Sequence, residues 1–209
     1  MPDKSGFDRV RHWDEVYGSR PSEELGWYQR IPEASLALAE SLGLPKNAPI
    51  IDIGGGDSSF AQLLMKNGFN DLSVLDISEQ ALQRSRKRLG SLQAGITWIR
   101  TDILDFQPEH RYALWHDRAC FHFLTDQGEV ENYVKLVEQS TVPGGHVIIG
   151  AFSEKGPERC SGLKVKRYDL TQMKEAFSGF RLIEYRYLDH HTPSGGSQNY
   201  IFCLFETKT

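Results

Sequence analysis

Apolar residues in this chain occur as short runs, separated by longer stretches in which apolar and polar residues alternate with a helical period. The short runs are rich in Ile, Val and Leu and predict buried strands over 50–53, 72–77, 96–100 and 112–116. The stretches between them predict helices over 58–67 and 79–89, and a further helix that contains Val130, Tyr133, Val134 and Val137. Because strands and helices alternate, we expect a doubly wound α/β fold with a parallel sheet.

The two ends of the chain depart from this alternation. Near the amino end, aromatic residues at helical spacing predict one helix over 7–17, and Pro32 begins a second one that stops at Gly43. The carboxyl-terminal pattern gives a strand, a helix and two final strands at 146–152, 170–177, 180–188 and 199–205. The last two strands flank a turn at 192–196 and therefore form an antiparallel hairpin. We expect a single domain, with cap helices in 1–45 and a Rossmann-like core in 46–209.

Size and charge narrow the classes of function. The 209 residues match one α/β domain, and the formal net charge of −4 does not favour nucleic acid, whose binding depends on many Lys and Arg contacts to phosphates. The expected substrate is a small molecule or a protein side chain. No long apolar segment occurs, so we expect a soluble, cytoplasmic protein without a membrane partner, and a monomer is compatible with the sequence.

The cysteines do not indicate a metal site or a disulfide framework. Cys120, Cys160 and Cys203 are odd in number, widely spaced and without a C-x-x-C pair. We therefore expect no metal, and a reducing compartment.

A glycine turn follows the first predicted strand. Gly54, Gly55 and Gly56 come directly after it, and Asp52 lies within the strand. The second strand leads into Asp76 and Ile77. Glycines let a backbone approach a ligand, and an acid after the second strand binds ribose hydroxyls in nucleoside-binding folds. We expect Asp52 to bind an ammonium group of the cofactor; the alternative is that Asp52 caps a neighbouring loop. Ile77 is expected to lie on the adenine ring of the cofactor.

The turn favours S-adenosylmethionine (SAM) over a dinucleotide. In the pattern G-x-G-x-x-G the third glycine is replaced by Ser59, and Asp57 stands where a phosphate would approach the helix. An acid there would repel a diphosphate, whereas SAM carries an ammonium, a carboxylate and a sulfonium instead. A nucleotide-dependent oxidoreductase is therefore disfavoured, and SAM is the expected cofactor.

Together, these motifs resemble those of class I SAM-dependent methyltransferases, over nearly the whole chain. The segments Trp13-Asp-Glu-Val-Tyr17 and His116-Asp-Arg-Ala-Cys120 are similar to motifs of the methyltransferase-like subgroup that includes protein-lysine methyltransferases. The second segment departs from that subgroup's D-K-G-T, which puts lysine specificity in doubt, and the N-P-P-[YF] block of amino-methylating DNA enzymes is absent. The resemblance implies a seven-stranded sheet with an antiparallel last strand, and S-adenosylhomocysteine (SAH) as product.

The resemblance also implies further contacts to the cofactor. Asp102 would accept the adenine amino group and Ile103 would give the next backbone contact, while capping a turn is the alternative for Asp102. Trp13, with Tyr17, Trp27 and Tyr28, supplies aromatic surface that either covers the cofactor or packs on the sheet. Asp117 would contact the cofactor beside the transferred methyl.

Three residues near the fourth strand are candidate catalytic groups: Asp117, Arg118 and His122. Because the SAM methyl is already activated, the enzyme has mainly to align donor and acceptor, which Asp117 and Arg118 would do. His122, or His116, would act as a base, unless burial makes either one structural. We expect methyl transfer to a nitrogen, oxygen or sulfur nucleophile; the alternative is a SAM or SAH sensor without turnover.

Overall fold

A seven-stranded sheet runs through the middle of the protein, and a two-stranded hairpin lies apart from it. The structure is a computed structural model that describes residues 7–208. The strands are β1 Ile50–Ile53, β2 Leu72–Asp76, β3 Ile96–Arg100, β4 Tyr112–Arg118, β5 Thr141–Phe152, β6 Arg159–Cys160, β7 Leu163–Lys164, β8 Phe180–His191 and β9 Ser197–Thr207. The separate hairpin consists of β6 and β7.

The order of the large sheet is β3-β2-β1-β4-β5-β9-β8. The first five strands of this order are parallel, and β9 is inserted antiparallel between β5 and β8. The strand order reverses between β1 and β4, so the loops after these strands diverge and leave a crevice there. The predicted doubly wound sheet with its antiparallel last strand is thereby confirmed.

Residues 7–208 form six α-helices: α1 Arg9–Ser19, α2 Glu33–Ser41, α3 Phe60–Lys66, α4 Glu79–Leu89, α5 Gln127–Ser140 and α6 Leu170–Ala176. Short polar residues begin several of them; Ser78, for example, accepts a hydrogen bond from Ala81 N at the start of α4. One face of the sheet buries Trp115 against α5 and α6, and the other buries Phe60 and Leu82 of α3 and α4. All residues of β1 are buried, which explains why three of its four residues are isoleucine.

The amino-terminal segment is tied to the core through α4. The Arg84 guanidinium donates hydrogen bonds to the carbonyl oxygens of Tyr17 and Arg20. The Ser78 hydroxyl donates to Asp14 at 2.7 Å, so α1 lies along the start of α4. The division into a cap of 1–45 and a core of 46–209 stays a prediction, and residues 1–6 of that cap lie outside the described part of the chain.

Several elements are longer in the structure than the sequence predicted. β4 continues to Arg118, because its backbone pairs with β5 as far as Gly150 although its side chains there are polar. β5 and β8 are also longer than the apolar runs that predicted them. Residues 153–168, for which the sequence pattern predicted no strand or helix, contain the β6–β7 hairpin, whose turn has Ser161 and Gly162 at positive φ. Strands of two residues are too short to give a periodic signal. No helix in the described part of the chain is long and apolar enough to span a membrane.

Candidate functional site

A cavity of about 270 Å³ opens at the carboxyl ends of β1, β2 and β4, beneath α1 and the β6–β7 hairpin. Its walls include six residues that the sequence proposed as cofactor contacts: Trp13, Gly54, Asp76, Ile77, Asp102 and Ile103. A smaller cavity of about 50 Å³ lies behind the glycine turn. Both cavities are lined by Tyr17, Trp27, Gly54 and Arg118, so they adjoin at these residues.

The glycine turn is shaped by the carboxylates beneath it. A Cβ on Gly55 would lie 2.2 Å from Asp52 Oδ2, and a Cβ on Gly56 would lie 2.6 Å from Asp76 Oδ2. Gly54 has φ +64°, in the left-handed region that glycine adopts without strain. The sequence interpretation assigned these glycines to the approach of the cofactor. The structure adds that any side chain at 55 or 56 would first collide with the chain's own acids.

Asp76 combines burial with a place on the cavity wall. Its side chain accepts hydrogen bonds from Gly56 N at 2.9 Å and from Ser78 N at 2.8 Å, one to each oxygen. Burial raises the pKa of Asp76 to about 6, and the two backbone donors oppose that rise. A carboxylate oxygen accepts more than one hydrogen bond, so both oxygens retain capacity for ligand hydroxyls. Its contact to ribose stays a prediction that this placement supports.

Asp102 holds a turn and lines the cavity at the same time. Its Oδ1 accepts from Leu104 N at 3.0 Å, which caps the 3₁₀ turn Ile103–Asp105. Its Oδ2 lies 3.5 Å from Arg9 Nη1 of α1. The capping alternative from the sequence is therefore observed, and it leaves Asp102 beside Ile103 on the wall where an adenine amino group is predicted.

The smaller cavity brings an acid and a base together. Asp52 is buried, and its Oδ1 lies 2.7 Å from His116 Nδ1, while its Oδ2 has no hydrogen-bond partner within residues 7–208. Arg118 Nη1 donates to the carbonyl oxygen of Trp27 at 2.8 Å, and its Nη2 is buried without a partner in the same part of the chain. An unsatisfied carboxylate oxygen and an unsatisfied guanidinium nitrogen in one cavity match the ammonium and carboxylate of an α-amino acid.

The electrostatic argument from Asp57 was wrong. Its carboxylate lies 3.3 Å from Arg84 Nη1 and 2.8 Å from Arg88 Nη1, and it accepts from the Ser22 hydroxyl at 2.5 Å. Two guanidinium groups offset its charge, so Asp57 does not repel a phosphate as a free acid would. The arginines lie on α4, too far along the chain for the pattern around the turn to reveal the pairing. Asp57 lines the smaller cavity together with Asp52, whereas Asp76 and Asp102 line the main one.

Asp117 does not line either cavity, although it follows the switch point. Its Oδ1 accepts from Cys120 N at 2.9 Å and Phe121 N at 3.1 Å, and its Oδ2 accepts from the Tyr133 hydroxyl at 2.6 Å. The side chain is fully buried, and burial raises the pKa of Asp117 to about 6. The predicted catalytic and cofactor-binding roles of Asp117 do not fit this geometry, because its oxygens face the core and hold the turn after β4.

His122 is likewise turned into the core. Its Nδ1 accepts from Phe152 N at 3.2 Å, and its ring packs beside Phe123, Phe152 and Tyr200. Burial and the charge of Arg118 lower the pKa of His122 to about 3. An imidazole with an occupied lone pair and this pKa is a poor base near neutral pH. The predicted catalytic role of His122 does not fit its position, whereas Arg118 does line both cavities.

Aromatic rings form the outer wall of the main cavity. The centroid of the Trp13 ring lies 4.9 Å from that of Phe123 and 5.8 Å from that of Trp27, in edge-to-face contacts. The centroid of the Tyr17 ring lies 6.2 Å from that of Trp13. Of the two alternatives for these aromatic residues, a place over the crevice agrees with the lining by Trp13, Tyr17 and Trp27. Sequence reasoning did not select several other wall residues: Phe7, Arg9, Thr101, Cys120, Phe123 and Leu163. Apart from helical spacing for Phe7, they carry no motif that separates them from core positions.

Of the other polar side chains near the site, some line the main cavity and others hold the surrounding structure together. Cys160 and Lys164 of the β6–β7 hairpin line the main cavity, and burial raises the pKa of Cys160 to about 11, so it is a thiol. Lys166 and Arg167 do not line it; Lys166 donates to Gln127 and Arg167 pairs with Glu158. His190 is buried, with Nε2 2.9 Å from the Gly26 carbonyl oxygen, and holds the segment after α1 in place.

Comparison with known proteins agrees with the fold. Residues 50–145 match a family profile described as a methyltransferase domain. This segment, which runs from β1 into β5, is therefore similar in sequence to methyltransferase domains. The crystal structure of N-methyltransferase NodS from Bradyrhizobium japonicum WM9, in complex with SAH, has a TM-score of 0.72 at 16% identity and covers 97% of this chain and 100% of that chain. At this identity the likeness shows the fold, and it confirms the predicted class I methyltransferase fold.

Two relatives identified by sequence are longer proteins than this chain. Nodulation protein S of Rhizobium tropici is 25% identical over 132 residues, which are 63% of this chain and 54% of that protein. The eEF1A lysine and N-terminal methyltransferase of Mus musculus is 25% identical over 144 residues, which are 68% of this chain and 20% of that protein. The chain thus spans about half the length of the first relative and about a fifth of the second.

Proposed function

We propose that this protein is a SAM-dependent methyltransferase that transfers a methyl group to a nucleophile and releases SAH. One observation carries the proposal. Two adjoining cavities offer a buried acid for ribose, Asp76, and an unsatisfied pair for an amino acid, Asp52 and Arg118. An adenosyl group linked to an amino acid has this distribution of hydroxyl, ammonium and carboxylate groups, whereas a dinucleotide has no group that needs the pair.

Each part of the cofactor has a matching group on the walls. Asp76 accepts the ribose hydroxyls, Ile77 and Ile103 flank the adenine, and Asp102 accepts its amino group. Asp52 takes the ammonium and Arg118 the carboxylate. When bound, SAM supplies a methyl group already activated by the sulfonium. The protein's part is to hold donor and acceptor in line and to exclude water from the aromatic mouth.

The chemistry of the wall favours a nitrogen acceptor. No histidine occurs among the described residues that line the main cavity. Burial raises the pKa of both Cys120 and Tyr17 well above their ordinary values, so neither starts as an anion near pH 7. The acid on this wall with a pKa of about 6, Asp76, is assigned to the ribose, so an acceptor that is nucleophilic while still neutral is the best match. A neutral amine reacts first and loses its proton to water afterwards, while an alcohol has to be deprotonated.

The acceptor belongs to a small molecule or to a protein side chain. Among the relatives, the mouse protein is a lysine and N-terminal methyltransferase, and the NodS structure is that of an N-methyltransferase. Both names denote nitrogen acceptors and support the same class here. We propose that nucleic acid is not a substrate, because the chain has a net charge of −4.

Calorimetry tests the cofactor assignment directly. We expect the purified protein to bind SAH and SAM at micromolar concentrations and not to bind NAD. Asp76→Asn should weaken SAH binding, whereas Asp71→Asn on the exposed loop before β2 should not. Tight binding of NAD with no binding of SAH would contradict the proposal.

Radiolabel transfer tests turnover and the acceptor class. Cell extract incubated with the protein and tritiated SAM is separated into protein and small-molecule fractions before counting. Label above the level of an Asp76→Asn control in either fraction supports a methyltransferase and identifies the class of acceptor. Binding of SAH without transfer to any fraction would favour a sensor.

A further inference from the structure

A chain of three buried polar side chains links α2 to the glycine turn. Ser35 Oγ of α2 lies 2.8 Å from His116 Nε2 of β4, and His116 Nδ1 lies 2.7 Å from Asp52 Oδ1 of β1. The three residues are 0%, 2% and 2% exposed. Polar groups at this depth destabilise a core unless each one is hydrogen-bonded. The contacts are therefore a specific arrangement that the sequence maintains at a cost.

The arrangement satisfies every ring atom that can hydrogen-bond. With its proton on Nδ1, the His116 ring donates to Asp52 and accepts from the Ser35 hydroxyl. Phe60 stacks on the same ring, with centroids 3.9 Å apart and an angle of 26° between the planes. The imidazole is thus fixed in position by bonds at both nitrogens and by packing on its face.

The burial of Ser35 excludes a hydrolytic Ser-His-Asp triad at these three residues. Ser35 is 0% exposed and lines neither cavity, so no substrate carbonyl can reach its oxygen. His116 does line the smaller cavity, together with Asp52 and Arg118. The end of this hydrogen-bonded series that faces a cavity is therefore the Asp52 carboxylate and not the Ser35 hydroxyl.

Asp52 has one oxygen held and one oxygen free. The ring of His116 holds Oδ1, and Oδ2 lies directly beneath Gly55, where an added Cβ would be only 2.2 Å away. Among the described residues, two other charged ones line the same cavity: Arg118, and Asp57, whose charge two arginines offset. Little rotation is open to the carboxylate, because turning it would break the bond to His116 or press on the turn.

We propose that His116, anchored by Ser35, is a positioning residue that aims Asp52 Oδ2 at the ammonium group of the cofactor. This inference rests on the proposed function, since it concerns the amino-acid end of SAM. His116 acts through Asp52 and does not itself contact the reacting atoms. The register of the sheet is the cause, because β1 and β4 pair Asp52 with His116 directly.

The test compares two ligands that differ only at the amino-acid end. SAH carries the ammonium and carboxylate, and 5′-methylthioadenosine retains the adenosine but lacks both. Calorimetry measures both dissociation constants for the wild-type protein and for His116→Leu, His116→Asn, Ser35→Ala and the control His110→Asn, which alters an exposed histidine. Asparagine keeps an N–H donor near the place of Nδ1, whereas leucine keeps none.

We expect His116→Leu to weaken SAH about tenfold or more and 5′-methylthioadenosine less than twofold, since charge-assisted hydrogen bonds are the strong ones. His116→Asn should restore most of the SAH affinity, and Ser35→Ala should show a smaller loss for SAH alone. The control should bind both ligands as the wild type does.

Several results would overturn the inference. One is an unchanged SAH affinity in His116→Leu. Another is an equal loss for both ligands in Ser35→Ala or His116→Asn, which would indicate a general structural role. If His116→Leu fails to fold, the other two variants decide by the same criterion. Absence of SAH binding in the wild-type protein would instead contradict the proposed function itself.

Discussion

The two sides of the crevice start from similar sequence and end in opposite structures. On one side β2 ends at Asp76, and on the other β4 carries Asp117 near its end. Burial raises the pKa of each acid to about 6. Asp76 accepts two backbone hydrogen bonds and still lines the cavity, whereas Asp117 accepts three hydrogen bonds and faces the core. An acid at a strand end is therefore a ligand only if the next turn leaves its oxygens on the wall.

The turns that follow explain the difference. After β2 the chain enters α4 through Ser78, and Gly56 of the neighbouring turn donates to Asp76 without covering it. After β4 the chain turns sharply at Ala119, whose φ of 69° lies in the left-handed region, and the Asp117 side chain caps that turn. The Asp117 carboxylate therefore makes its hydrogen bonds within the protein, to the turn after β4 and to the Tyr133 hydroxyl.

Removal of each carboxylate gives the largest contrast. We expect Asp76→Ala to weaken SAH about 100-fold, because two charge-assisted hydrogen bonds to ribose are lost. Asp117→Asn should change SAH affinity less than about threefold, because its oxygen can still accept from the turn after β4. Calorimetry at pH 7, with thermal unfolding as a check on folding, measures both. Comparable losses of affinity in two well-folded variants would erase the contrast.

A methyl group at the glycine turn tests the crowding beneath it. Gly55→Ala places a Cβ 2.2 Å from Asp52 Oδ2, so we expect the free energy of unfolding to fall by about 2 kcal/mol. Gly18→Ala is the control, since nothing lies within 4 Å of a Cβ there and α1 tolerates alanine. Urea denaturation compares the two variants, and equal stability would show that the turn is not crowded.

The pH dependence of SAH binding distinguishes Asp76 from Asp117, because only Asp76 is proposed to contact the cofactor. The pKa of Asp76 is raised to about 6, so its carboxylate is ionised at pH 7 and mostly protonated at pH 5. Since the ionised form is the better acceptor for ribose hydroxyls, SAH affinity should fall about tenfold between pH 7 and pH 5. Asp76→Asn should flatten this part of the profile, and Asp117→Asn should leave it in place. A profile that Asp76→Asn leaves unchanged would assign the effect to another group.

The smallest expected effect is at the strained turn. Ala119→Gly should raise the free energy of unfolding by about 0.5 to 1 kcal/mol, because glycine adopts φ of 69° without a clash. Ala37→Gly, on the exposed face of α2, should lower it by about 1 kcal/mol. Denaturation curves measure both, and a loss of stability in Ala119→Gly would show that the turn is not strained.

The sequence predicted the side of the crevice built by local motifs. The glycine turn, Asp76 and Asp102 follow strands directly, and their positions depend on a few neighbouring residues. Arg84 and Arg88 could not be assigned to Asp57 from sequence, because that pairing depends on how α4 packs. The orientation of Asp117 could not be read either, since it depends on Tyr133 of α5. Side-chain direction after a strand is a tertiary property, and alternation alone does not determine it.

The outer wall of the cavity has a consequence for engineering. Trp13, Tyr17 and Trp27 come before residue 50, and Cys160, Leu163 and Lys164 come after residue 145, so these walls lie outside the segment shared with the family profile. Grafting the short hairpin from a related enzyme would therefore exchange one face of the entrance while leaving every predicted cofactor contact untouched. Directed evolution aimed at a new acceptor has a defined, separable target in residues 153–168.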